Sequence, residues 1–151
     1  DLGNNITHAY QSIGTETAAN AMPTSGTATY RGATAAHHVS NSQTQQMTAD
    51  VNAVVDFSKK MVRFATSGSQ LHRLENGVRV SEANKDLDIK GNASWGNGNQ
   101  FSGNATTANG LSGVLNGKFY GVGAAEIGGT YGLKNAANTE QLIGGYGAKR
   151  E

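Results

Sequence analysis

Apolar and polar residues alternate along most of this chain, in short segments separated by turn residues. The clearest segment is residues 48–57, where every second side chain is apolar and most of those between are polar. A side-chain period of two is typical of a β-strand with one buried face. Similar alternation covers residues 26–37, 60–65, 87–95, 101–107, 115–121 and 127–133, and one further segment lies at the C-terminus.

These segments predict an all-β fold with almost no helix. The turns between them are mostly short, which favours an eight-stranded antiparallel up-and-down β-barrel whose first strand closes against its last. Closure removes the two open edges that a row of consecutive hairpins leaves. We assign residues 24–151 to the barrel and residues 1–23 to an N-terminal polar segment or irregular strand. The side chains predicted to fill the interior are Tyr30, Phe57, Phe64, Trp95, Phe101, Phe119 and Tyr131.

Two stretches are longer than a barrel needs for its connections, and long loops in compact domains are usually functional or disordered. Residues 39–46 are predicted to form a polar loop. Residues 66–86 contain Asn76-Gly77, a dipeptide that favours a two-residue hairpin turn because both positions tolerate positive φ. We therefore predict a small hairpin there, with a helix through residues 69–74 as the alternative.

Candidate partner-binding residues come from that second stretch and from the tyrosines of the C-terminal third. His72, Arg73, Leu74 and Arg79 belong to the predicted hairpin, and Tyr120 and Tyr146 face outward if the alternation continues through both strands. Glycine recurs on the predicted inward face, at Gly117, Gly129 and Gly145. Such positions are typical of bends where a neighbouring side chain covers the backbone.

Composition and charge exclude several classes of function. Lysine and arginine (12) nearly balance aspartate and glutamate (11), so no basic stripe for nucleic acid is expected. No run of ~18 apolar residues predicts a membrane-spanning helix, and the outward strand residues are polar ones that lipid would reject. Cysteine is absent, which rules out disulfides. The chain begins at Asp1 without methionine or a signal peptide, so we expect a mature or trimmed fragment.

The residues that could carry chemistry are few. His37 and His38 are adjacent at the end of a predicted strand, and an imidazole there is a possible haem ligand. Solvent-exposed histidines at a strand end are the alternative that we favour. We expect no metal site, because the histidines do not have zinc-ligand spacing. We also expect no catalytic residues, because no nucleophile motif or acid–base pair is present.

The C-terminal third resembles a known family. Its pattern begins with Gly117, Phe119, Tyr120, Gly121, Ala124, Glu126, Gly128 and Gly129, and ends with Gly147, Ala148, Lys149 and Arg150. This is similar to the end of the C-terminal barrel of bacterial transferrin-binding protein B, a barrel that also occurs in the neisserial heparin-binding antigen and in factor H-binding protein. A proline often follows the Phe-Tyr-Gly of the family, and here the residue is Val122. Residues 26–32 resemble the strand that opens this barrel.

The resemblance implies a non-enzymatic protein exported by a Gram-negative bacterium, at the outer-membrane surface or secreted. It implies recognition of a host protein, in iron acquisition or immune evasion, and membrane attachment only through a lipidated N-terminal cysteine that this chain lacks. We expect a monomer that binds through its loops without a cofactor. Two alternatives stay open: a secreted haem carrier that uses His37 or His38, and a structural stalk within a larger surface lipoprotein.

Overall fold

The computed structural model describes residues 15–151, so most of the polar segment or irregular strand predicted for residues 1–23 lies outside the described part. Two single-turn 3₁₀ helices occur at Ala19–Ala21 and Lys85–Leu87. All other regular structure in the described part of the chain is β. The strands are β1 Thr27–Ser40, β2 Gln43–Asp56, β3 Met61–Glu75, β4 Val78–Ala83, β5 Ile89–Trp95, β6 Gln100–Thr107, β7 Ser112–Tyr120, β8 Glu126–Lys134 and β9 Glu140–Arg150.

Eight of these strands close into an antiparallel barrel, as predicted. Each strand pairs with the next around the ring, except that β3 pairs with β5 because β4 lies outside it. The ring closes where β1 pairs with β9, from Tyr30 opposite Arg150 to Ser40 opposite Glu140. The single sheet therefore has no open edge within the barrel itself.

Strand β3 is long because it serves two pairings in succession. Its first part, up to Ala65, pairs with β5, and its last part, from Gln70, pairs with β4. The register against β2 shifts between Thr48 and Asp50, opposite Gly68, which has a φ of +65°. A glycine at positive φ in such a bulge lets one strand carry an extra residue and bend. The bulge therefore redirects the end of β3 into the β3–β4 hairpin.

The barrel interior is filled by aromatic rings. The rings predicted from the alternation are all buried, and the Phe119 ring lies 4.8 Å from that of Trp95 and 5.3 Å from that of Phe101, centroid to centroid. A second cluster joins Phe64 to Tyr146, at 4.7 Å. Burial raises the pKa of Tyr131 to about 12, and its hydroxyl is hydrogen-bonded to the hydroxyl of Thr34 at 2.7 Å.

Two of the three inward glycines were predicted correctly. A Cβ on Gly117 would meet the ring of Phe101 and the hydroxyl of Tyr146, so neighbouring side chains do cover this backbone. A Cβ on Gly129 would meet the carbonyl oxygen of Asn116 on the adjacent strand. Gly145 was assigned to the wrong face. It lies opposite Thr130, at an outward position of the register, although the residue itself is buried.

The structure corrects three predictions. Residues 39–46 are not a loop, because β1 and β2 continue to a tight turn at Asn41 and Ser42, both at positive φ. The helical alternative for residues 69–74 is wrong, since these residues lie in β3. The outward position of Tyr146 is also wrong. In β9 the inward residues are Leu142, Gly144, Tyr146 and Ala148, one residue out of step with the prediction.

The two ends of the barrel are built differently. At one end the segment before β1 crosses the opening: Thr17 donates its amide to the Phe119 carbonyl at 2.9 Å, and Met22 packs against the core. The other end carries the β1–β2 turn and the β3–β4 turn, and we call it the hairpin end. Within residues 15–151 no helix has the length and apolar character needed to cross a membrane.

Candidate functional site

The β3–β4 hairpin projects from the hairpin end of the barrel. Its turn is Asn76-Gly77, with φ of 51° and 80°, which is the conformation that this dipeptide favours. The six residues of β4 pair with β3 in regular antiparallel register, from Glu75 opposite Val78 to Gln70 opposite Ala83. The hairpin predicted from the sequence is therefore present, and it is a regular two-stranded extension of the sheet.

His72 anchors this hairpin to the barrel wall. Its Nε2 is hydrogen-bonded to the Thr48 hydroxyl of β2 at 2.7 Å, and its Nδ1 to the Ser81 hydroxyl of β4 at 2.7 Å. The residue is only 8% exposed. The contact with a partner predicted for His72 is thus corrected: the side chain links three strands and is not presented at the surface.

Arg73 holds the two strands together on the opposite face of the hairpin. Its guanidinium forms ion pairs with Glu75 at 2.9 Å and with Glu82 at 3.1 Å. The hydrogen bond from Arg73 lowers the pKa of the Glu82 carboxyl, so both groups stay charged near neutral pH. The charge of Arg73 is satisfied within the hairpin, which limits its use in recognising a partner.

The exposed surface of the hairpin combines large apolar side chains with charged ones, among them the acidic Glu75 and Glu82. Two large apolar side chains are exposed to solvent: Leu74 is 74% exposed and Val78 is 64% exposed. Arg79 lies opposite Leu74 in the register and shares its face, and within residues 15–151 it forms no ion pair. Leu74 and Arg79 were predicted from the sequence, whereas Val78 was missed. Its signal was a valine directly after the Asn-Gly turn.

The buried position of His72 makes the hairpin sensitive to pH. Burial lowers the pKa of His72 below its ordinary value of 6.5, and the nearby charge of Arg79 lowers it further. Because the pKa of His72 is lower in the folded chain than in the unfolded chain, His72 binds a proton more readily when the chain is unfolded. The stability contributed by the neutral imidazole is therefore complete above pH 6.5 and is lost as the pH falls below that value.

We expect amide protection factors in the β3–β4 hairpin to fall between pH 7.5 and pH 5.5, measured by hydrogen exchange. The His72→Gln variant is the control, since its side chain does not titrate. A wild-type hairpin whose protection factors match those of the variant in their pH dependence would contradict the assignment of this effect to His72.

The two histidines considered as haem ligands point in opposite directions. His37 is exposed on the outer wall, and His38 faces inward at the mouth of the hairpin end. The Nε2 of His38 lies 2.7 Å from a Glu140 carboxylate oxygen, which also accepts a hydrogen bond from the Asn109 amide at 2.9 Å. These contacts tie β1, β9 and the β6–β7 turn together across the opening. The structure therefore does not bring His37 and His38 to one ligand.

The two candidate tyrosines lie away from the hairpin. Tyr120 is half-buried at the opposite end of the barrel, next to the β7–β8 loop. Tyr146 is fully buried and donates its hydroxyl to the Asn116 carbonyl at 2.9 Å, so it is unavailable to a partner. Among the residues that the structure describes, no group of three or more histidine and acidic side chains is arranged to hold a metal.

Comparison with known proteins identifies the barrel. The family described as "C-lobe and N-lobe beta barrels of Tf-binding protein B" matches residues 22–150. The chain belongs to this barrel family. A search of curated proteins gave no match. The transferrin-binding protein B barrel thus accounts for nearly the whole chain, as the resemblance in the C-terminal third implied.

Solved structures agree with this family. A transferrin-binding protein B variant from Haemophilus parasuis has 25% identity and a TM-score of 0.64, and the match covers 89% of this chain and 28% of that one. The protein from Neisseria meningitidis serogroup B has 23% identity and a TM-score of 0.62, covering 91% and 27%. At 23% identity, the likeness to the Neisseria meningitidis protein shows a shared fold and no more. This chain spans only about a quarter of the length of either relative.

Proposed function

We propose that this chain is a non-enzymatic binding module that recognises a host protein through its hairpin end. The observation that carries the proposal is the β3–β4 hairpin, a projection that exposes Leu74 on one face and Val78 on the other, on a protein surface otherwise rich in small polar residues. Exposed apolar residues clustered on a projecting element are typical of a protein interface. The barrel provides the fixed scaffold from which the hairpin projects.

Membership of the barrel family supports this proposal at a coarse level. The relatives are named transferrin-binding proteins, and we extend from them the idea of a host-protein ligand, in iron acquisition or immune evasion. We also propose that the chain is exported and displayed at the outer-membrane surface of a Gram-negative bacterium or released from it. The identity of the host protein is a separate question, because fold alone does not specify a ligand.

The filled interior supports a surface mode of binding over a carrier mode. The space along the barrel axis is occupied by the rings of Tyr30, Phe57, Phe64 and Phe119. Binding of haem stays a hypothesis from the sequence, and the positions of His37 and His38 add nothing to it. The stalk alternative likewise stays a prediction.

Shortening the hairpin tests the proposal. Replacing residues 74–79 with Asn-Gly removes Leu74, Val78 and Arg79 and keeps Arg73 and Val80 as the hydrogen-bonded pair beside the turn. We expect the immobilised wild-type chain to capture a protein from mammalian serum, and the shortened variant to lose that capture. Purified transferrin is tested in a separate arm.

The matched control is Val122→Ser, which removes the most exposed apolar side chain of the opposite end, at 97%. This variant is expected to capture the same protein as the wild type. Both variants are first checked for an unchanged far-ultraviolet circular dichroism spectrum. Equal capture by the wild type and the shortened hairpin, or loss of capture only in Val122→Ser, would disprove the assignment of the site to the hairpin end.

A further inference from the structure

Strand β4 has an open edge. Within the described residues 15–151 it is the last strand of the sheet and pairs only with β3. The barrel strands are all paired on both sides. Among the described strands, β4 is therefore the one that has an unpaired edge along its whole length. An open edge presents a row of backbone donors and acceptors that can pair with another chain.

The register specifies which backbone groups are free. Glu75 and Val78 flank a two-residue turn, so they form a hydrogen-bonded pair and the alternation continues from them. Val78, Val80 and Glu82 therefore direct their N–H and C=O groups toward β3. The bond from the Asn84 amide to the Ser69 carbonyl, at 2.8 Å, follows the same alternation. The groups of Arg79, Ser81 and Ala83 point the other way, and all three residues are exposed.

Little in β4 protects this edge: its charged side chains are Arg79 and Glu82, and Glu82 is already paired with Arg73. Natural edge strands are usually guarded by proline, lysine, a bulge or a covering loop. β4 contains no proline and no lysine, and its pairing with β3 has no bulge. The ion pair of Arg73 with Glu82 and the hydrogen bond of His72 to Ser81 link the two strands of the hairpin. The edge is thus both accessible and already in the conformation that an added strand requires.

We propose that the β4 edge accepts an extended segment of a partner protein as an additional antiparallel strand. This inference rests on the proposed function and names the way in which the hairpin recognises its partner. Backbone bonds to Arg79 and Ser81 would supply affinity, and side chains opposite β4 would supply selectivity. The residue of the added strand that lies opposite Arg79 points to the same face of the sheet as Arg79, so an acidic side chain fits there. Apolar side chains of the added strand fit opposite Val78 and Val80.

A second copy of this chain fits the edge less well. Two β4 strands paired about a two-fold axis place Arg79 opposite Ser81, Ala83 or the Arg79 of the other copy, because only residues whose free backbone groups point outward can lie opposite each other. None of these residues is acidic. The only acidic residue of β4, Glu82, lies on the other face and is already paired with Arg73. The unpaired charge of Arg79 therefore favours an acidic segment from a different protein.

The probe for this proposal is the capped pentapeptide Thr-Val-Glu-Val-Thr, added at millimolar concentration to the isotopically labelled chain. We expect saturable shifts and slowed hydrogen exchange at the amides of Arg79 and Ser81. The peptide with Lys in place of Glu is expected to bind about fivefold more weakly, because it places like charges opposite each other. Arg79→Glu should reverse that preference without touching the backbone.

Ser81→Pro removes an edge donor and is expected to abolish peptide binding, whereas Ser81→Ala removes only the hydroxyl bound to His72 and is expected to retain it. Absence of shifts at the β4 edge, an unchanged peptide preference in Arg79→Glu, or a dimer of the free chain with a protected Ser81 amide would overturn the proposal.

If the shortened hairpin loses serum capture but Ser81→Pro and Arg79→Glu keep it, strand addition is wrong and the proposed function stands. If peptide binding behaves as stated but no serum protein is captured, only the proposed function fails.

Discussion

Replacing Phe119 with alanine is expected to lower the free energy of unfolding by about 3–5 kcal/mol. The Phe119 ring is fully buried, and it lies within 6.4 Å, centroid to centroid, of the rings of Tyr30, Phe57, Trp95 and Phe101. Its removal leaves a cavity among four large side chains, three of which belong to different strands and one, Phe57, to the β2–β3 turn. The barrel wall is hydrogen-bonded all round, so it has little freedom to collapse into that space.

The measurement is equilibrium urea denaturation, followed by circular dichroism. Val114→Ala is the matched control, since Val114 lies on the same strand but faces solvent and is 51% exposed. We expect its effect to be within about 0.5 kcal/mol. A Phe119→Ala variant that unfolds at the same urea concentration as the control would show that the aromatic cluster does not hold the barrel together.

Alanine at Gly129 is expected to destabilise the barrel by about 1–3 kcal/mol. The added Cβ would meet the Asn116 carbonyl oxygen and, at 2.6 Å, the Cα of Gly117, both belonging to the adjacent strand. Because these are backbone atoms within a continuous ladder, neither can rotate out of the way. β7 and β8 would have to separate or twist locally, with loss of ladder hydrogen bonds.

Gly132 is the matched control on the same strand. A Cβ there would meet nothing within 4 Å, and its φ is not positive. Gly132→Ala is therefore expected to be neutral or to stabilise by about 0.4–1 kcal/mol, because alanine restricts the unfolded chain. Thermal unfolding of both variants would decide the matter, and similar melting temperatures would show that the close approach at Gly129 is relieved at little cost.

Much of this fold could be predicted from the sequence because a strand with one buried face leaves a direct record in its alternation. In β5, for example, Ile89, Ala93 and Trp95 face inward as expected. The error in β9 has a physical origin. Glycine carries no side chain to show its direction, and β9 contains Gly144, Gly145 and Gly147, so the alternation was ambiguous and was set one residue out of step.

The candidate site was predicted less completely. The Asn-Gly turn gave the hairpin, but its flanking strands do not alternate clearly because a two-stranded projection has no buried face to enforce a pattern. The bulge at Gly68 also reverses which face each later residue of β3 occupies. His72 was expected at the surface because it falls in the predicted hairpin, although its contacts with Thr48 and Ser81 on the neighbouring strands bury it. Such contacts depend on register, which a single strand does not reveal.

The seam between β1 and β9 also has a consequence for how the chain folds. Tyr30 pairs with Arg150 and Ser40 with Glu140, so the contacts that close the ring join residues a hundred or more positions apart. Contacts between distant parts of a chain form slowly, because a large loop of disordered chain must be brought together first. During synthesis, β1 waits for its second neighbour until β9 has left the ribosome. The closed barrel therefore forms only after β9 has emerged, and every nascent form that lacks β9 has two unpaired strand edges.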